Sequence, residues 1–335
     1  MKTGILLVNL GTPDSPSTPD VRKYLKEFLN DPRVIDIPAL SRWLLVNLII
    51  VPFRSPKSAK LYAEIWRKDG MSPLLYYSIR QKELLRESME KNYQIELAMR
   101  YQSPSLKTNL EKFSNPSFKK IIIFPLFPQY ASASTGSVHE KVMQIVSKWE
   151  VIPELKFIGS FCNDEDFIQS FVECGKKHNH AAYDHILFSF HGLPERQIRK
   201  SDCNNNCLKD NCCTSLNENN YSCYRAQCHS TARLIAEKLN IPENKYTICF
   251  QSRLGRDPWI KPYSDMIIEE RAKKGDKKLL IFAPAFVSDC LETLYEISVE
   301  YDELFKKHGG EKAELVESLN DSPLWIATMK KILEK

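Results

Sequence analysis

Ile121–Ser137 reads IIIFPLFPQYASASTGS and Leu279–Leu294 reads LLIFAPAFVSDCLETL, so the chain contains two similar stretches. Each is an apolar strand pattern that ends near a proline, followed by a loop with phenylalanine and then by the start of a helix pattern. Shortly before each, a strand pattern enters a turn with serine, in AMRYQSP and CFQSRLGRDP. Because the same order of elements occurs twice, the sequence predicts two similar lobes.

Short apolar runs alternate with helix patterns along the rest of the chain. This alternation predicts the α/β class, with two Rossmann-like lobes that are each a parallel sheet flanked by helices. In such folds ligands bind at the carboxyl ends of the strands, so we expect a site in a cleft between the lobes. The predicted strands are Ile5–Asn9, Ile95–Arg100, Lys120–Pro125, Leu155–Gly159, His185–His191, Tyr246–Ser252 and Lys278–Pro284. The predicted helices are Asp20–Leu29, Val138–Trp149, Glu165–Lys176, Ala232–Leu239, Asp265–Lys273 and Leu291–Phe305.

Length and composition indicate a folded protein of two domains. The chain has 335 residues, of which 43% are hydrophobic and 27% are charged. We expect an N-terminal lobe at 1–155, a C-terminal lobe at 156–310 with a Cys-rich insert at 203–228, and a C-terminal helix in 311–335 that packs back on the first lobe. The net charge of +5 is too small to indicate nucleic acid. Neither GxGxxG nor GxxxxGKS spacing occurs after the first strand, which disfavours a nicotinamide or ATP enzyme.

The N-terminus has no secretory leader pattern and no stretch reaches the ~18 apolar residues that span a bilayer, so we expect a cytoplasmic protein. The most apolar stretch is Trp43–Phe53, WLLVNLIIVPF. It predicts either a buried core helix or an exposed apolar lip for a flat apolar substrate or the inner face of the membrane. Oligomeric state cannot be predicted from these patterns.

His191 and an acidic pair are the strongest candidates for chemistry. His191 ends the apolar strand HILFSFH, so its imidazole emerges at a strand's carboxyl end, although a structural histidine is equally compatible with that position. Glu292 and Glu296 are four residues apart on one helical face, where two carboxylates bind a cation or exchange protons. The alternative for Glu292 is a capping box, since Asp289 precedes it by three residues.

Two further strand-end loops carry polar and aromatic side chains. In FPQYASASTGS, Tyr130 and the hydroxyls of Ser134 and Thr135 can face an anionic group, whereas Ser137 with Glu140 three residues later fits helix capping. In FQSRLGRDPW, Arg253 and Arg256 can bind a carboxylate, and Trp259 supplies an aromatic ring.

Together these motifs resemble those of the ferrochelatases, which insert Fe²⁺ into a porphyrin in the last step of haem synthesis. The resemblance spans LLVNLGTP, FPQYxxxSTGS, SFHGLPER, FQSRLGxxPW and FVSDCLETLYE in this order. It implies a chelatase-like fold and an enzyme whose substrates are Fe²⁺ and a porphyrin, with protoporphyrin IX favoured. The alternatives are a coproporphyrin ferrochelatase, a cobalt or nickel tetrapyrrole chelatase, and, from another class, a non-catalytic haem or metal carrier.

The resemblance also implies roles for single residues. The family's catalytic histidine falls on His191, its essential acid on Glu292 and a further acid on Glu296, so His191 and Glu292 are expected to handle Fe²⁺. Tyr130 and Trp259 match aromatic residues near the porphyrin.

Leu10, Ser134, Thr135 and Arg253 are the remaining expected substrate contacts. The chain departs from the family at Cys290, where several relatives have histidine, and at Leu10, where Gram-positive members have tyrosine.

The Cys-rich segment predicts a cluster more readily than a zinc site. Structural zinc sites have closer pairs of cysteines, whereas gaps of four residues are found in plant-type [2Fe–2S] patterns. Some ferrochelatases carry such a cluster, and one bacterial group binds it through an internal segment. We therefore expect a possible [2Fe–2S] cluster, with zinc or reduced thiols as the alternatives and no nucleotide. The expected ligands are Cys207, Cys212, Cys223 and Cys228, with Cys213 in place of Cys212 as a variant, since adjacent side chains diverge.

Overall fold

The computed structural model describes residues 2–209, 211–253, 255 and 257–335. Eight strands and twelve α-helices lie in these ranges, and the chain divides into two structural units. The strands are β1 (Lys2–Gly11), β2 (Tyr93–Tyr101), β3 (Phe118–Pro125), β4 (Glu154–Phe157), β5 (His185–His191), β6 (Tyr246–Gln251), β7 (Lys278–Phe282) and β8 (Lys312–Leu315). The helices are α1 (Thr18–Leu29), α2 (Ala39–Leu44), α3 (Val51–Ile65), α4 (Pro73–Ser88), α5 (Leu106–Glu111), α6 (Ser137–Val146), α7 (Glu165–Lys176), α8 (Glu195–Lys200), α9 (Tyr224–Lys238), α10 (Ser264–Lys273), α11 (Asp302–Lys307) and α12 (Pro323–Glu334).

The first unit contains Met1–Phe127, Ala131–Gly159 and Asp321–Lys335. Its four parallel strands have the order β2-β1-β3-β4. The central strands are apolar on both faces, as expected for a parallel sheet covered by helices. Helix α12 belongs to this unit and contacts α4, where Lys330 Nζ donates to the backbone oxygen of Ser88 at 3.0 Å.

The second unit contains Pro128–Tyr130 and Ser160–Asn320. Its four parallel strands have the order β6-β5-β7-β8, which repeats the pattern of the first unit. The residues after the equivalent strands β2 and β6 also match, since Gln102 has φ 63° and Ser252 has φ 64°. The predicted α/β class with two similar parallel sheets is therefore confirmed.

Three segments of the described chain are π-helical rather than α-helical: Leu45–Ile50, Ser132–Gly136 and Glu292–Tyr301. Their backbone hydrogen bonds reach one residue further than those of an α-helix. The predicted α-helix over Leu291–Phe305 is thus a π-helix that continues into α11.

The stretch Trp43–Phe53 is exposed rather than buried. Trp43 is 51% exposed, Phe53 is 74% exposed, and Leu44, Leu48 and Ile49 are exposed as well. The alternative of a buried core helix is therefore wrong for most of this stretch, although Val46 and Val51 are buried. We call the exposed side chains of Trp43, Leu44, Leu48, Ile49 and Phe53 the apolar lip. Across the described ranges, no helix has the length and apolarity required to cross a bilayer.

Candidate active site

His191 is the last residue of β5 and its side chain is half-buried. Its Nδ1 lies 2.7 Å from the backbone oxygen of Gly192. A carbonyl oxygen only accepts hydrogen bonds, so Nδ1 carries the proton and the neutral ring keeps its lone pair on Nε2. The strand end therefore presents an imidazole with a defined tautomer, which can accept a proton or bind a metal ion through Nε2.

Gln251 connects the strand of His191 to the helix that carries the acidic pair. It ends β6 in register with His191, and its Oε1 accepts a 2.8 Å hydrogen bond from Ser189 of β5. Its Nε2 lies 3.0 Å from Glu296 Oε2 and 3.2 Å from the backbone oxygen of Glu292. One amide thus joins the histidine strand to the acidic helix. Gln251 is not among the residues predicted from the sequence, although it lies in the FQSRLG motif.

Glu296 accepts hydrogen bonds from three side chains. Ser252 Oγ donates to Oε2 at 2.5 Å, Tyr301 Oη donates to Oε1 at 3.1 Å, and Gln251 supplies the third bond. Three donors stabilise the negative charge of this carboxylate. Burial raises the pKa of Tyr301, and the negative charge of Glu296 adds to that effect. Tyr301 therefore stays protonated and remains a donor.

Glu292 begins the same π-helix and lies beside the buried Cys290 thiol. Burial raises the pKa of Cys290, and the charge and hydrogen bonding of Glu292 act in the same direction, so this thiol stays protonated. The start of this helix has no side-chain cap, and Asp289 bonds to other side chains: its Oδ1 accepts from Thr293 Oγ1 at 3.0 Å and its Oδ2 accepts from Asn320 Nδ2 at 2.7 Å. No capping hydrogen bond involves Glu292 among the described contacts, so its carboxylate is available for chemistry.

A third acid extends the row on this helix. Burial raises the pKa of Glu300, and the like charge of Glu296 contributes to the same shift. Glu292, Glu296 and Glu300 therefore form a line of carboxyl groups along one π-helix. Glu300 follows Glu296 by four residues, which is the spacing between Glu292 and Glu296. It is not among the residues predicted from the sequence.

Trp259 and Arg253 have different environments in the second unit. The ring of Trp259 lies 6.5 Å from the ring of His191, measured between centroids. Arg253 is exposed and its NH2 pairs with Asp265 Oδ2 at 2.8 Å, so a substrate carboxylate would have to displace Asp265. Arg256 lies outside the described residues.

The remaining expected substrate contacts belong to different units. The backbone N–H of Tyr130, in the second unit, donates to Gln227 Oε1 at 2.7 Å. Leu10, Ser134 and Thr135 belong to the first unit, and Thr135 is fully buried with no hydrogen-bond partner for its Oγ1.

The capping prediction for Ser137 is wrong. Its Oγ donates to Asp31 Oδ2 at 2.6 Å and accepts from Arg100 Nε at 2.7 Å, while Arg100 NH2 binds the same Asp31 oxygen at 2.6 Å. Glu140 pairs with Arg33 instead of a backbone N–H. The π-helical segment that precedes α6 removes the free N-terminus that a cap would satisfy.

Four cysteines of the Cys-rich segment lie together, and we call them the cysteine cluster: Cys207, Cys212, Cys213 and Cys223. The Sγ atoms of Cys212 and Cys213 are 3.6 Å apart, so the expectation that these adjacent side chains diverge is wrong. A hydrogen bond with Cys213 lowers the pKa of Cys223 to about 6, and hydrogen bonds with the backbone of Ala226 and with Cys207 act in the same direction. Cys223 is therefore the thiol most readily converted to the thiolate that binds metals.

Cys228 and Cys203 have other surroundings. Cys228 is completely buried, and this burial raises the pKa of its thiol. Cys203 is exposed. All ten cysteines are free of disulfide bonds.

Comparison with known proteins shows the family of the chain. The ferrochelatase family model matches residues 2–335. The chain belongs to the ferrochelatase family. A ferrochelatase of Coxiella burnetii (strain Dugway 5J108-111) is 44% identical over 336 residues, which cover 100% of this chain and 94% of the relative. A ferrochelatase of Legionella pneumophila (strain Paris) is 44% identical over 335 residues, which cover 100% of this chain and 99% of the relative.

The ferrochelatase fold is shared with a more distant chelatase. SirB from Bacillus subtilis, solved with Fe³⁺, has a TM-score of 0.55 at 13% identity, with 100% of this chain and 95% of that chain covered. This likeness confirms the chelatase-like fold. The family assignment identifies the chain as an enzyme, a metal chelatase that acts with iron in haem synthesis, so the alternative of a non-catalytic carrier is wrong.

Proposed function

We propose that the enzyme inserts Fe²⁺ into protoporphyrin IX and releases two protons, with His191 and Glu292 as the residues that touch the reacting centre. The observation that carries this assignment is the tautomer of His191, fixed by the Gly192 carbonyl, at a strand end that Gln251 joins to the acidic helix. These groups match what the reaction requires, since two pyrrole protons must leave while the ion loses water.

The two protons released in the reaction pass to side chains of the site. The two pyrrole N–H bonds break, both nitrogens bind Fe²⁺, and the two protons pass to protein bases. His191 accepts one proton at Nε2, since its Nδ1 is already protonated. Glu292, whose carboxylate is free of capping, can hold Fe²⁺ before insertion and accepts the other proton as the ion leaves it for the porphyrin. Glu296, held in place by three donors, attracts protons and Fe²⁺ along the helix.

The decisive test is the insertion rate of His191→Ala, measured by the loss of protoporphyrin fluorescence with Fe²⁺ under anaerobic conditions. General acid–base catalysis contributes roughly 10²–10⁴-fold, so we expect the rate to fall at least about 100-fold. His180→Ala, on a short 3₁₀ helix of the same unit, is the matched control and should retain the wild-type rate. A His191→Ala rate within about threefold of this control would refute the role of the imidazole. A preference for coproporphyrin in kcat/KM would instead overturn the substrate assignment.

We further propose that the cysteine cluster holds a [2Fe–2S] cluster. Support comes from the donor set, because four thiols lie together and the thiol at the start of α9 has a lowered pKa. Cys207, Cys212, Cys213 and Cys223 would be the ligands.

This assignment replaces Cys228 of the initial set with Cys213. When bound, the cluster supplies four iron–thiolate bonds that cross-link the segment. The purified protein should absorb visible light and contain iron and acid-labile sulfide in equal amounts. Cys213→Ser should lose this absorption, whereas Cys203→Ser should keep it. A colourless protein with stoichiometric zinc would contradict the proposal.

We also propose a cytoplasmic enzyme that touches the inner face of the membrane through the apolar lip, because both porphyrin and haem are apolar and contiguous exposed apolar side chains are typical of such surfaces. Leu44→Ser with Leu48→Ser should reduce co-sedimentation with anionic phospholipid vesicles. Ile152→Ser, at a 57% exposed position away from the lip, is the control. Equal binding of the two variants, with an unchanged KM for porphyrin, would refute the role of the lip.

A further inference from the structure

The His191–Gly192 peptide is held at both of its polar groups. Its N–H, on Gly192, donates to the backbone oxygen of Gln251 at 2.8 Å. Its C=O, on His191, accepts a 2.8 Å hydrogen bond from Tyr224 Oη. Because a peptide unit is planar, these two contacts fix its orientation and thereby the start of the turn that supplies the acceptor for His191 Nδ1.

Tyr224 is rigidly placed to make this contact. It is the first residue of α9 and its side chain is buried. Burial raises the pKa of its hydroxyl, so the group remains a hydrogen-bond donor. The contact of Tyr224 with His191, the last residue of β5, comes from a helix outside the sheet. The contact of Gln251 comes from the neighbouring strand β6.

The residue before Tyr224 belongs to the cysteine cluster. Cys223 is the N-cap residue of α9, and its backbone oxygen accepts a 3.0 Å hydrogen bond from the N–H of Gln227 in the first turn. Arg225 of the same turn donates from Nη1 to Cys213 Sγ at 3.4 Å. The free thiol of Cys223 also takes part in hydrogen bonds with the thiols of Cys213 and Cys207. Cys223 is thus both a member of the cysteine cluster and the residue that begins α9. A change in the position of Cys223 therefore moves the first turn of α9, which carries Tyr224 and its hydroxyl.

We propose that Tyr224 is a positioning residue that holds the carbonyl of His191 and couples the orientation of this imidazole to the cysteine cluster. The inference rests on the proposed role of His191. It assigns to the Cys-rich segment an effect on the reaction that does not require electron transfer. Tyr224 itself does not touch substrate in this scheme; it acts through the peptide of His191.

The test compares Tyr224→Phe with Tyr221→Phe in the full-length enzyme as purified. Tyr221 lies in the same segment, is 69% exposed and is the matched control. Loss of a hydrogen bond that orients a catalytic or metal-binding histidine typically reduces activity ~10–100-fold, so kcat of Tyr224→Phe should fall at least about 10-fold with little change in the KM for porphyrin. Tyr221→Phe should match wild type in both constants.

A second readout separates positioning from general stability. The chain has seven histidines, so selective ¹⁵N labelling gives few imidazole signals, and His191→Ala assigns the one from His191. That signal should shift in Tyr224→Phe and not in Tyr221→Phe. An unchanged signal would overturn the proposal, whether or not activity falls. If the signal shifts in Tyr224→Phe but His191→Ala is fully active, the coupling stands and only the proposed role of His191 is refuted.

The link to the cysteine cluster is tested without altering the tyrosine, which also covers a failure of Tyr224→Phe to fold. Cys223→Ser should increase hydrogen exchange in the peptide that spans residues 186–193 by at least about tenfold, which is the change expected for a loss of ~1.4 kcal/mol of local stability. The exposed Cys203→Ser is the control and should exchange as wild type does. Equal exchange in the two variants would overturn the coupling.

Discussion

Gln251→Leu tests whether the amide that joins β5 to the acidic helix organises the site. Leucine has a similar volume but removes three side-chain hydrogen bonds, to Glu296 Oε2 at 3.0 Å, to the Glu292 backbone oxygen at 3.2 Å and from Ser189 at 2.8 Å. A bond to a charged acceptor contributes ~1.5–3 kcal/mol and a neutral one ~1 kcal/mol. Ser189 keeps Ser264 as a partner, so we expect a net loss of about 3 kcal/mol in the free energy of unfolding of the second unit.

The effect of Gln251→Leu on activity follows from the same bonds. Glu296 keeps two donors but loses its connection to the histidine strand, so kcat should fall ~10–100-fold while the KM for porphyrin changes little. Urea unfolding and fluorescence-based insertion measure the two effects. Gln94→Leu is the control, since Gln94 lies on the edge strand β2 and bonds to Glu96 of the same strand. An insertion rate for Gln251→Leu within twofold of this control would refute the assigned connection.

Three further predictions follow from other contacts. Asp31→Ala removes the buried acceptor of an arginine, a tyrosine and a serine and should cost about 3–5 kcal/mol in urea unfolding, whereas Asp69→Ala, in an exposed ion pair, should change stability far less. Burial lowers the pKa of His185 to about 4 in the folded protein, whereas the unfolded chain binds this proton near the ordinary value of 6.5. As the pH falls from 6.5 to 5 the unfolded state therefore binds more protons, and the free energy of unfolding should drop by about 1 kcal/mol after solvent screening. His185→Gln should make this loss smaller. Gly192→Ala would place a Cβ 2.9 Å from a backbone oxygen of β6 and should lower kcat at least about 10-fold. Gly159→Ala, where a Cβ meets open space, is the control and should not lower kcat. Equal rates in the two variants would contradict the functional importance of the close contact between Gly192 and β6.

Strands were predictable from sequence where an apolar run ends at a turn. The prediction for β5 is confirmed at both ends, His185 and His191, because the run is buried on both faces. Strand β8, Lys312–Leu315, was missed since its four residues alternate between charged and apolar, and it forms only by pairing with β7. Helix α9 begins at Tyr224 rather than the predicted Ala232, because its first two turns are mostly polar and lack an amphipathic pattern.

The site was predictable at its chemical groups but not at their supports. His191 and Glu296 were identifiable from residue type and position at a strand end or on a helix face. Nothing in the sequence indicates that Gln251 bonds to Glu296 or that Tyr224 bonds to the His191 carbonyl, since both contacts join residues more than 30 positions apart. Such long-range polar contacts depend on the register of β5 with β6 and on the placement of α9, which form only in the folded unit.

The π-helical segments show where the chain keeps an unfavourable backbone at positions with a proposed function. A π-helix is rare and most often occurs at functional positions, since its wider turn packs less well than an α-helix. Within the described residues the three such segments coincide with three features of the proposed function: Leu45–Ile50 carries two of the five residues of the apolar lip, Ser132–Gly136 carries the hydroxyls of Ser134 and Thr135, and Glu292–Tyr301 carries the acidic row. Departures from local preference are expected where function opposes stability. In the acidic helix the wider turn allows Glu296 to reach Gln251, Ser252 and Tyr301 at once, so the unfavourable backbone is retained with the contacts that define the site.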